Sequence, residues 1–229
     1  MVSKANKVLQ QQLGYAFNDA DLLERAITHR SHVGANNERQ EFLGDALINF
    51  VIGEYLFRQR PTAEEGALSR LRASLVREPT LAILARELKL GEAIKLGEGE
   101  LKSGGWRRDS VLADAFEAVI GAIYLDGGFD VAREVCLRCF ESQLQQLPDP
   151  ETLKDPKTRL QEWLQARSRP LPIYEVLSES GPPHRRQFVV RARLLDLEHT
   201  AEAFGNSRRA AEQQAAELLL QRLQAPPAA

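Results

Sequence analysis

The hydrophobic and polar positions of residues 1–148 follow a helical period. Apolar residues recur three and four positions apart, as at Leu23, Ala26 and Ile27, and this spacing places side chains on one face of an α-helix. Glycines such as Gly14 separate the periodic segments, as expected where helices end. None of the segments alternates with the period of two that is typical of a strand. The pattern therefore predicts an all-α unit over residues 1–148.

The pattern changes after residue 148. Residues 149–154 are rich in proline and charge and predict a linker. Residues 155–225 then predict a short helix, three strands and a final helix, the strands at 173–180, 187–195 and 197–205. The order α-β-β-β-α predicts a small α+β domain, in which two helices cover one face of a three-stranded antiparallel sheet.

Composition and charge support this two-domain organisation. The 229 residues are 43% hydrophobic, which suffices for two modest cores. Residues 1–150 carry 18 Lys and Arg against 22 Asp and Glu, a net −4, whereas residues 151–229 carry 12 against 10, a net +2. No segment approaches the roughly 18 apolar residues of a membrane span, and the N-terminus lacks an apolar signal core. We therefore expect a cytoplasmic protein without a membrane partner.

Carboxylates are concentrated on two of the predicted helices. Glu38, Glu41 and Asp45 are spaced three and four apart and therefore share one helix face. Like charges at this spacing repel by about 0.2–0.5 kcal/mol per exposed pair. Asp114 and Glu117 share a face of a second helix, which is otherwise apolar enough to be buried. Two acid-bearing helices indicate a shared cation.

A metal ion would remove the cost of burying these acids. A buried carboxylate without a partner normally takes up a proton, whereas a bound cation stabilises its charged form. Ligation by carboxylates alone favours Mg²⁺ or Mn²⁺ over zinc. Such a site is suited to phosphodiester hydrolysis, because the ion activates water and offsets charge on the leaving oxygen. The alternative for the first helix is a solvated acidic face with Arg39 as its counter-charge.

Other cofactors lack the sequence features they require. The glycine-rich loop before Asp109 has no G-K-[ST] ending, which argues against a nucleotide phosphate loop. Cys136 and Cys139 have no second pair of Cys or His residues to complete a zinc site, so we interpret them as packing residues. We therefore expect no small-molecule cofactor.

Polar and basic side chains of the second domain suit a duplex RNA. Arg208 and Arg209 begin the last helix, where free N–H groups and side-chain cations together favour phosphates. At the opposite end of the domain, Gln161, Glu162 and His184 can hydrogen-bond ribose hydroxyls. Duplex RNA is recognised through such spaced contacts, and the sequence shows no aromatic platform for stacking single strands. The alternative for the two arginines is a solvated charge pair.

Three stretches resemble a known family along essentially the whole chain. N-E-R-Q-E-F-L-G-D-A-L is similar to the signature of bacterial ribonuclease III, and D-P-K-T-R-L-Q-E-W-L-Q and S-R-R-A-A-E-Q-Q-A-A resemble the first and last helices of its double-stranded-RNA-binding domain. The resemblance implies a Mg²⁺-dependent endonuclease, in which Mn²⁺ may substitute, that works as a homodimer. It implies cleavage of duplex RNA to 5′-phosphate and 3′-hydroxyl ends with short 3′ overhangs, and processing of rRNA precursors and other structured transcripts.

The resemblance also assigns roles by position. The implied metal ligands are Glu41, Asp45, Asp114 and Glu117, with Asp45 and Glu117 catalytic, Glu38 and Glu65 accessory acids near the cleft, and Phe42 an aromatic that docks into the partner subunit. Two positions depart from the family pattern. Gln40 replaces an apolar residue, which is harmless if it faces solvent. Glu212 stands where many duplex-RNA domains carry a third Lys, which predicts weaker phosphate contact.

Two other functions fit parts of the sequence. A non-catalytic RNA-binding regulator of the same architecture would not need the four metal acids. An all-helical nucleotide pyrophosphohydrolase also clusters Glu and Asp on helices, but it has no evident use for residues 155–225. The sequence therefore favours the endonuclease.

Overall fold

The computed structural model describes residues 4–182, 185–196 and 199–224. The chain divides into two compact units between Pro150 and Glu151. Among the helices of the described residues, none combines the length and the apolar content that a membrane span requires.

The first unit is helical, as predicted. Its helices are α1 (Lys4–Leu13), α2 (Ala20–Ala26), α3 (Glu38–Gln59), α4 (Glu65–Val76), α5 (Glu78–Glu87), α6 (Glu98–Lys102), α7 (Asp109–Cys139) and α8 (Glu141–Gln145). Gly14, with a φ of +61°, follows the end of α1 in the left-handed region that glycine tolerates. The side chain of Asp19 caps α2 by accepting a hydrogen bond from the Asp21 N–H.

Helices α3 and α7 form the centre of this unit. Their apolar faces supply much of the core, including Ile48, Val51, Phe116 and Ile120, each at most 1% exposed. Glycines bring the two backbones into contact, because a Cβ on Gly44 would lie 1.8 Å from the Glu117 carbonyl oxygen and a Cβ on Gly121 would lie 2.3 Å from the Gln40 carbonyl oxygen. The crossing therefore depends on residues without side chains.

The opposite side of α3 carries exposed aromatic residues. Phe42, Phe50 and Phe57 are 78%, 60% and 70% exposed. The Phe50 ring makes an edge-on contact with Phe129, at 5.9 Å between centroids. Phe129 directly follows Gly128, whose φ of +82° kinks α7. Helix α3 thus has one face in the core and one apolar face in solvent.

The second unit has the predicted α-β-β-β-α order. Its elements are α9 (Pro156–Gln165), β1 (Ile173–Ser180), β2 (Gln187–Arg193), β3 (Thr200–Gly205) and α10 (Arg208–Gln224). The strands form an antiparallel sheet in the order β1-β2-β3, with a bulge in β1 between Val176 and Ser178. Strands β2 and β3 are shorter than predicted, since β2 ends at Arg193 and β3 begins at Thr200. Just beyond these ends, the Leu194 N–H donates to the His199 carbonyl at 3.2 Å.

Small residues allow the two helices to pack closely on this sheet. Ala192, Ala201 and Ala203 of the strands share one buried core with the leucines and alanines of α9 and α10. Gly205 brings the end of β3 against α10, because a Cβ there would lie 2.4 Å from the Ala211 nitrogen. This contact fixes the start of α10 at the edge of the sheet.

Candidate functional site

Three carboxylates from two helices converge beside the α3–α7 crossing. One oxygen each of Glu41, Asp114 and Glu117 lies within 4.8 Å of the other two, and all three residues are half-buried. Gly44 lies one turn after Glu41, and Gly121 lies one turn after Glu117. The close glycine contact therefore sets the distance between the acids of α3 and those of α7.

The surroundings of this cluster oppose negative charge. Burial, followed by the neighbouring Asp45, Asp114 and Glu41 carboxylates, raises the pKa of Glu117 to about 8. The pKa of Glu41 is raised by burial and next by Asp114, and burial also raises the pKa of Asp114. Without a cation, Glu117 thus holds a proton at neutral pH. A cation among the three oxygens would favour ionisation of all of them.

Asp45 lies beside the three clustered acids rather than among them. It is exposed on α3, and its charge raises the pKa values of both Glu41 and Glu117. Its Oδ1 accepts a hydrogen bond from Asn49 Nδ2 at 2.9 Å. The structure therefore brings Glu41, Asp114 and Glu117 together, with Asp45 at the solvent side.

Glu38, predicted as an accessory acid, lies at the edge of the same cluster. Its charge raises the pKa of Glu41. Its carboxylate accepts a hydrogen bond from Asn36 Nδ2 at 3.1 Å and lies 3.8 Å from Arg30 Nη1. Arg30 also lowers the pKa of Glu41, so a cationic side chain lies next to the acids.

Glu65, the second acid predicted as accessory, lies on the exposed aromatic side of α3. Its Oε1 accepts a hydrogen bond from Ser69 at 2.7 Å, and it lines a depression with Phe50, Phe57 and Arg72. Among the described residues, the three-acid group does not include Glu65.

Sequence reasoning missed the glycines of the helix contact and the position of Arg30 at this site. Gly44 and Gly121 are needed for the helix contact. Each lies one helical turn after an acid of the cluster, and this spacing could have predicted a close helix crossing beside the acids. His29 and Arg30 lower the pKa of Asp114, so the loop after α2 adds positive charge beside the acids. No spacing rule connects this loop with α7.

Phe42 and its neighbour Gln40 point to opposite sides of α3. The Phe42 ring is in solvent, whereas Gln40 is 3% exposed. Gln40 therefore does not face solvent, the condition under which we expected it to be harmless. Its Nε2 donates to the Leu22 carbonyl at 3.0 Å, but its buried Oε1 has no hydrogen-bond partner within the described residues.

The predicted phosphate-binding arginines lie at the start of α10. Arg208 and Arg209 are both exposed. Arg208 Nε donates to Glu212 at 2.9 Å, and Arg209 Nη2 lies 3.9 Å from Asp155. Arg208 is therefore engaged within the chain, whereas Arg209 makes only a long ion pair and is open to solvent.

The other predicted RNA contacts are two residues of α9 and His184. Gln161 and Glu162 are exposed, and Glu162 accepts a hydrogen bond from Lys154 Nζ at 2.6 Å. His184 lies outside the described residues.

Comparisons with known proteins agree with both units. A family model described as Ribonuclease-III-like matches residues 19–144, more than half of the chain, and a double-stranded RNA binding motif matches residues 156–223. The chain belongs to the ribonuclease III family. It is 58% identical over 216 residues to Ribonuclease 3 of Alkalilimnicola ehrlichii, covering 94% of this chain and 95% of that one. It is 57% identical over 208 residues to Ribonuclease 3 of Pseudomonas aeruginosa, covering 91% of each.

Solved ribonuclease III structures resemble the first unit. The nuclease domain from Campylobacter jejuni matches with 45% identity and a TM-score of 0.61, covering 64% of this chain and 100% of that one. A second structure of that domain, described for flexibility in a region involved in dimer formation, matches with 46% identity and a TM-score of 0.59, covering 61% and 98%. The matches confirm the predicted endoribonuclease of double-stranded RNA. They favour it over the non-catalytic regulator and the nucleotide pyrophosphohydrolase.

Proposed function

We propose that this ribonuclease III hydrolyses double-stranded RNA with Mg²⁺ held by Glu41, Asp45, Asp114 and Glu117. The observation that carries the proposal is the approach of Glu41, Asp114 and Glu117 to within 4.8 Å across two helices. The products would be 5′-phosphate and 3′-hydroxyl ends with short 3′ overhangs.

The donor set fits a hard divalent cation. All of its atoms are carboxylate oxygens, which suit Mg²⁺, and Mn²⁺ for the same reason. The surrounding negative charge that raises the pKa of Glu117 would be offset by such an ion. When bound, the ion supplies Lewis-acid chemistry that activates water and stabilises the leaving oxygen.

The chain's own residues prepare the site for this chemistry. Glu117 holds a proton when no cation is present and gives it up on cation binding, so metal affinity should rise with pH. Asp45 is the exposed acid, and Asn49 holds its carboxylate in place, so Asp45 can accept a hydrogen bond from an attacking water. We therefore assign Asp45 and Glu117 as catalytic residues, with Glu38 and Glu65 as accessory acids.

The second unit would hold the duplex. Arg208 and Arg209 are exposed where α10 begins, which suits RNA phosphates. Gln161, Glu162 and His184 would hydrogen-bond ribose 2′-hydroxyls, which distinguish RNA from DNA. These contacts read duplex shape rather than sequence.

We also propose that the enzyme works as a homodimer. The exposed ring of Phe42, with Phe50 and Phe57 farther along α3, gives an apolar face that pairing of two chains would bury. Phe42 would dock into the partner subunit. Two chains supply two carboxylate clusters, one for each strand, which is what staggered cleavage requires. We place the activity in the cytoplasm, on rRNA precursors and other structured transcripts, whose stems supply duplex RNA.

Incubation with a long, perfectly paired RNA tests this function. With Mg²⁺, we expect short duplex products with 5′-phosphate ends and 3′ overhangs, and without divalent cations the RNA should stay intact. Single-stranded RNA of the same length and a DNA duplex are the controls, and both should survive. Equal cleavage of the single strand, or cleavage in EDTA, would contradict the proposal.

A further inference from the structure

One carboxylate of the RNA-binding unit is bonded to two of its cations. Glu212 accepts a hydrogen bond from Lys157 Nζ at 2.7 Å and from Arg208 Nε at 2.9 Å. Lys157 lies at the start of α9, and its ammonium also lies 4.4 Å from the centre of the Tyr174 ring. Glu212 therefore joins the starts of α9 and α10.

The Glu212 side chain is only 12% exposed, so water competes poorly for these contacts. Burial alone would raise its pKa, but the hydrogen bonds from Lys157 and Arg208 bring the pKa below its ordinary value. Glu212 is thus ionised at neutral pH, and both bonds are of the charge-assisted kind.

A third cation at the same place is held more loosely. Arg209 is 82% exposed, and its Nη2 lies 3.9 Å from Asp155 Oδ2. That carboxylate oxygen also accepts a hydrogen bond from Gln213 at 2.6 Å. Of the three neighbouring cations, Lys157 and Arg208 are engaged by Glu212, whereas Arg209 is open to solvent.

We infer that Glu212 competes with RNA phosphates for Lys157 and Arg208, and that it thereby limits the affinity of the enzyme for duplex RNA. The inference deepens the proposed RNA contacts and depends on them. A phosphate that approaches Arg208 must share the guanidinium with Glu212 or displace the carboxylate. Glu212 in place of Lys thus has two effects on phosphate binding. It removes one cation, and it also occupies Lys157 and Arg208, which remain.

The isosteric change Glu212→Gln tests this competition. Each additional cation available to phosphate steepens the dependence of log affinity on log salt by about 0.9. We expect Glu212→Gln to bind duplex RNA about 3-fold tighter at about 0.15 M salt, with a slope steeper by about 0.9 for each of the two cations that gains a phosphate. The measurement is a salt titration of the full chain with an RNA duplex in EDTA, with a gel check that the RNA stays intact.

Glu217→Gln is the matched control. Glu217 also lies on α10 and also pairs with a cation of α9, Arg159, at 2.8 Å, but it lies farther from the start of α10. Glu217→Gln removes the same charge, so its affinity should change by less than about 2-fold and, unlike that of Glu212→Gln, its salt slope should stay unchanged. An equal gain in both variants would indicate a general charge effect and overturn the inference.

The remaining outcomes are equally distinct. Unchanged or weaker binding by a folded Glu212→Gln variant would overturn the inference and would indicate that Glu212 positions the cations. If that variant does not fold, Glu212→Asp should show the gain, because its shorter side chain cannot reach both cations. Combining Arg208→Ala with Glu212→Gln should remove part of the gain in RNA affinity. If the double variant kept the full gain, Arg208 would be excluded from the competition. Failure of the unaltered chain to bind any RNA duplex would instead contradict the proposed function.

Discussion

At the scale of single residues, Glu117 is the acid whose surroundings most oppose its charge. Changing Glu117 to Gln keeps the size of the side chain but removes one of the proposed cation ligands. We expect cleavage of duplex RNA to be abolished, while duplex binding in EDTA stays within about 2-fold because it depends on the second unit. Cleavage assays and binding titrations of the same preparation measure the two effects. Unchanged turnover would contradict the assignment of the site.

The same residue predicts how stability depends on pH. The folded-state pKa of Glu117 is about 8, above its ordinary value of 4.5. Its contribution to stability without metal is therefore fully present below pH 4.5 and is lost as the pH rises through 8. Urea unfolding in EDTA should show a falling free energy of unfolding across this range. Mg²⁺ should restore the free energy of unfolding at high pH, because it binds the ionised form of Glu117. In Glu117→Gln, the free energy of unfolding should depend less on pH.

Gln40 offers a test of a buried polar atom. Its Oε1 has no partner within the described part of the chain, and leaving such an atom buried costs about 1–3 kcal/mol. Gln40→Leu also gives up the bond from Nε2 to the Leu22 carbonyl, so we expect a net stabilisation of about 1 kcal/mol. Thermal and urea unfolding measure it, and a less stable variant would show that the Leu22 bond outweighs the unpaired oxygen.

Sequence spacing predicted some of these residues better than others. The spacing of the acids around Glu41 on α3 and around Glu117 on α7 predicted which acids share a helix face, because such positions depend on local helix geometry. The hydrogen bond of buried Gln40 reaches Leu22 of α2, and the engagement of Glu212 depends on Lys157 from another helix. Such contacts join segments distant along the chain, and periodicity carries no signal for them.

At the scale of elements, the contact of α3 with α7 fixes the distance between their acids. A Cβ on Gly44 would lie 1.8 Å from the Glu117 carbonyl oxygen, so Gly44→Ala must push the helices apart. We expect a loss of about 1–3 kcal/mol or more in the free energy of unfolding, and loss of cleavage because Glu117 moves away from Glu41. Urea unfolding and cleavage rates measure both effects.

Gly99→Ala is the control for this helix contact. Gly99 is also helical, but a Cβ there meets no heavy atom within 4 Å. Stability should stay the same or rise by up to about 1 kcal/mol, because alanine favours helix. An equally small effect at Gly44 would show that the helices can adjust at no cost.

The order of elements was predictable, whereas their closest contacts were not. Periodicity predicted a helical first unit and the α-β-β-β-α order of the second, and the first strand was predicted at its observed bounds, Ile173–Ser180. The end of β2 at Arg193 and the start of β3 at Thr200 were not predicted, because no local pattern marks them.

At the scale of the whole molecule, the exposed face of α3 predicts self-association. Phe42→Ala removes a ring that is 78% exposed, so we expect the fold of the single chain to be kept. Sedimentation at micromolar concentration should show a shift from dimer to monomer, with a fall in double-strand cleavage. Phe204→Ala, at an exposed ring of β3, is the control and should leave the assembly unchanged. A Phe42→Ala variant that remains a dimer would contradict this interface.

Glu41 and Phe42 are adjacent on α3, and one belongs to the acid cluster while the other faces outward. A helix backbone is stiff over so short a distance, so the backbones of the two residues move together. Docking of Phe42 on a second chain would therefore also restrict the backbone that carries Glu41, and the ion would then meet a ligand whose backbone is already held. Through this rigid connection, a monomer would bind the ion less well than the dimer does, and it would therefore cleave RNA more slowly. Unwanted cleavage by unpaired chains would be limited in this way.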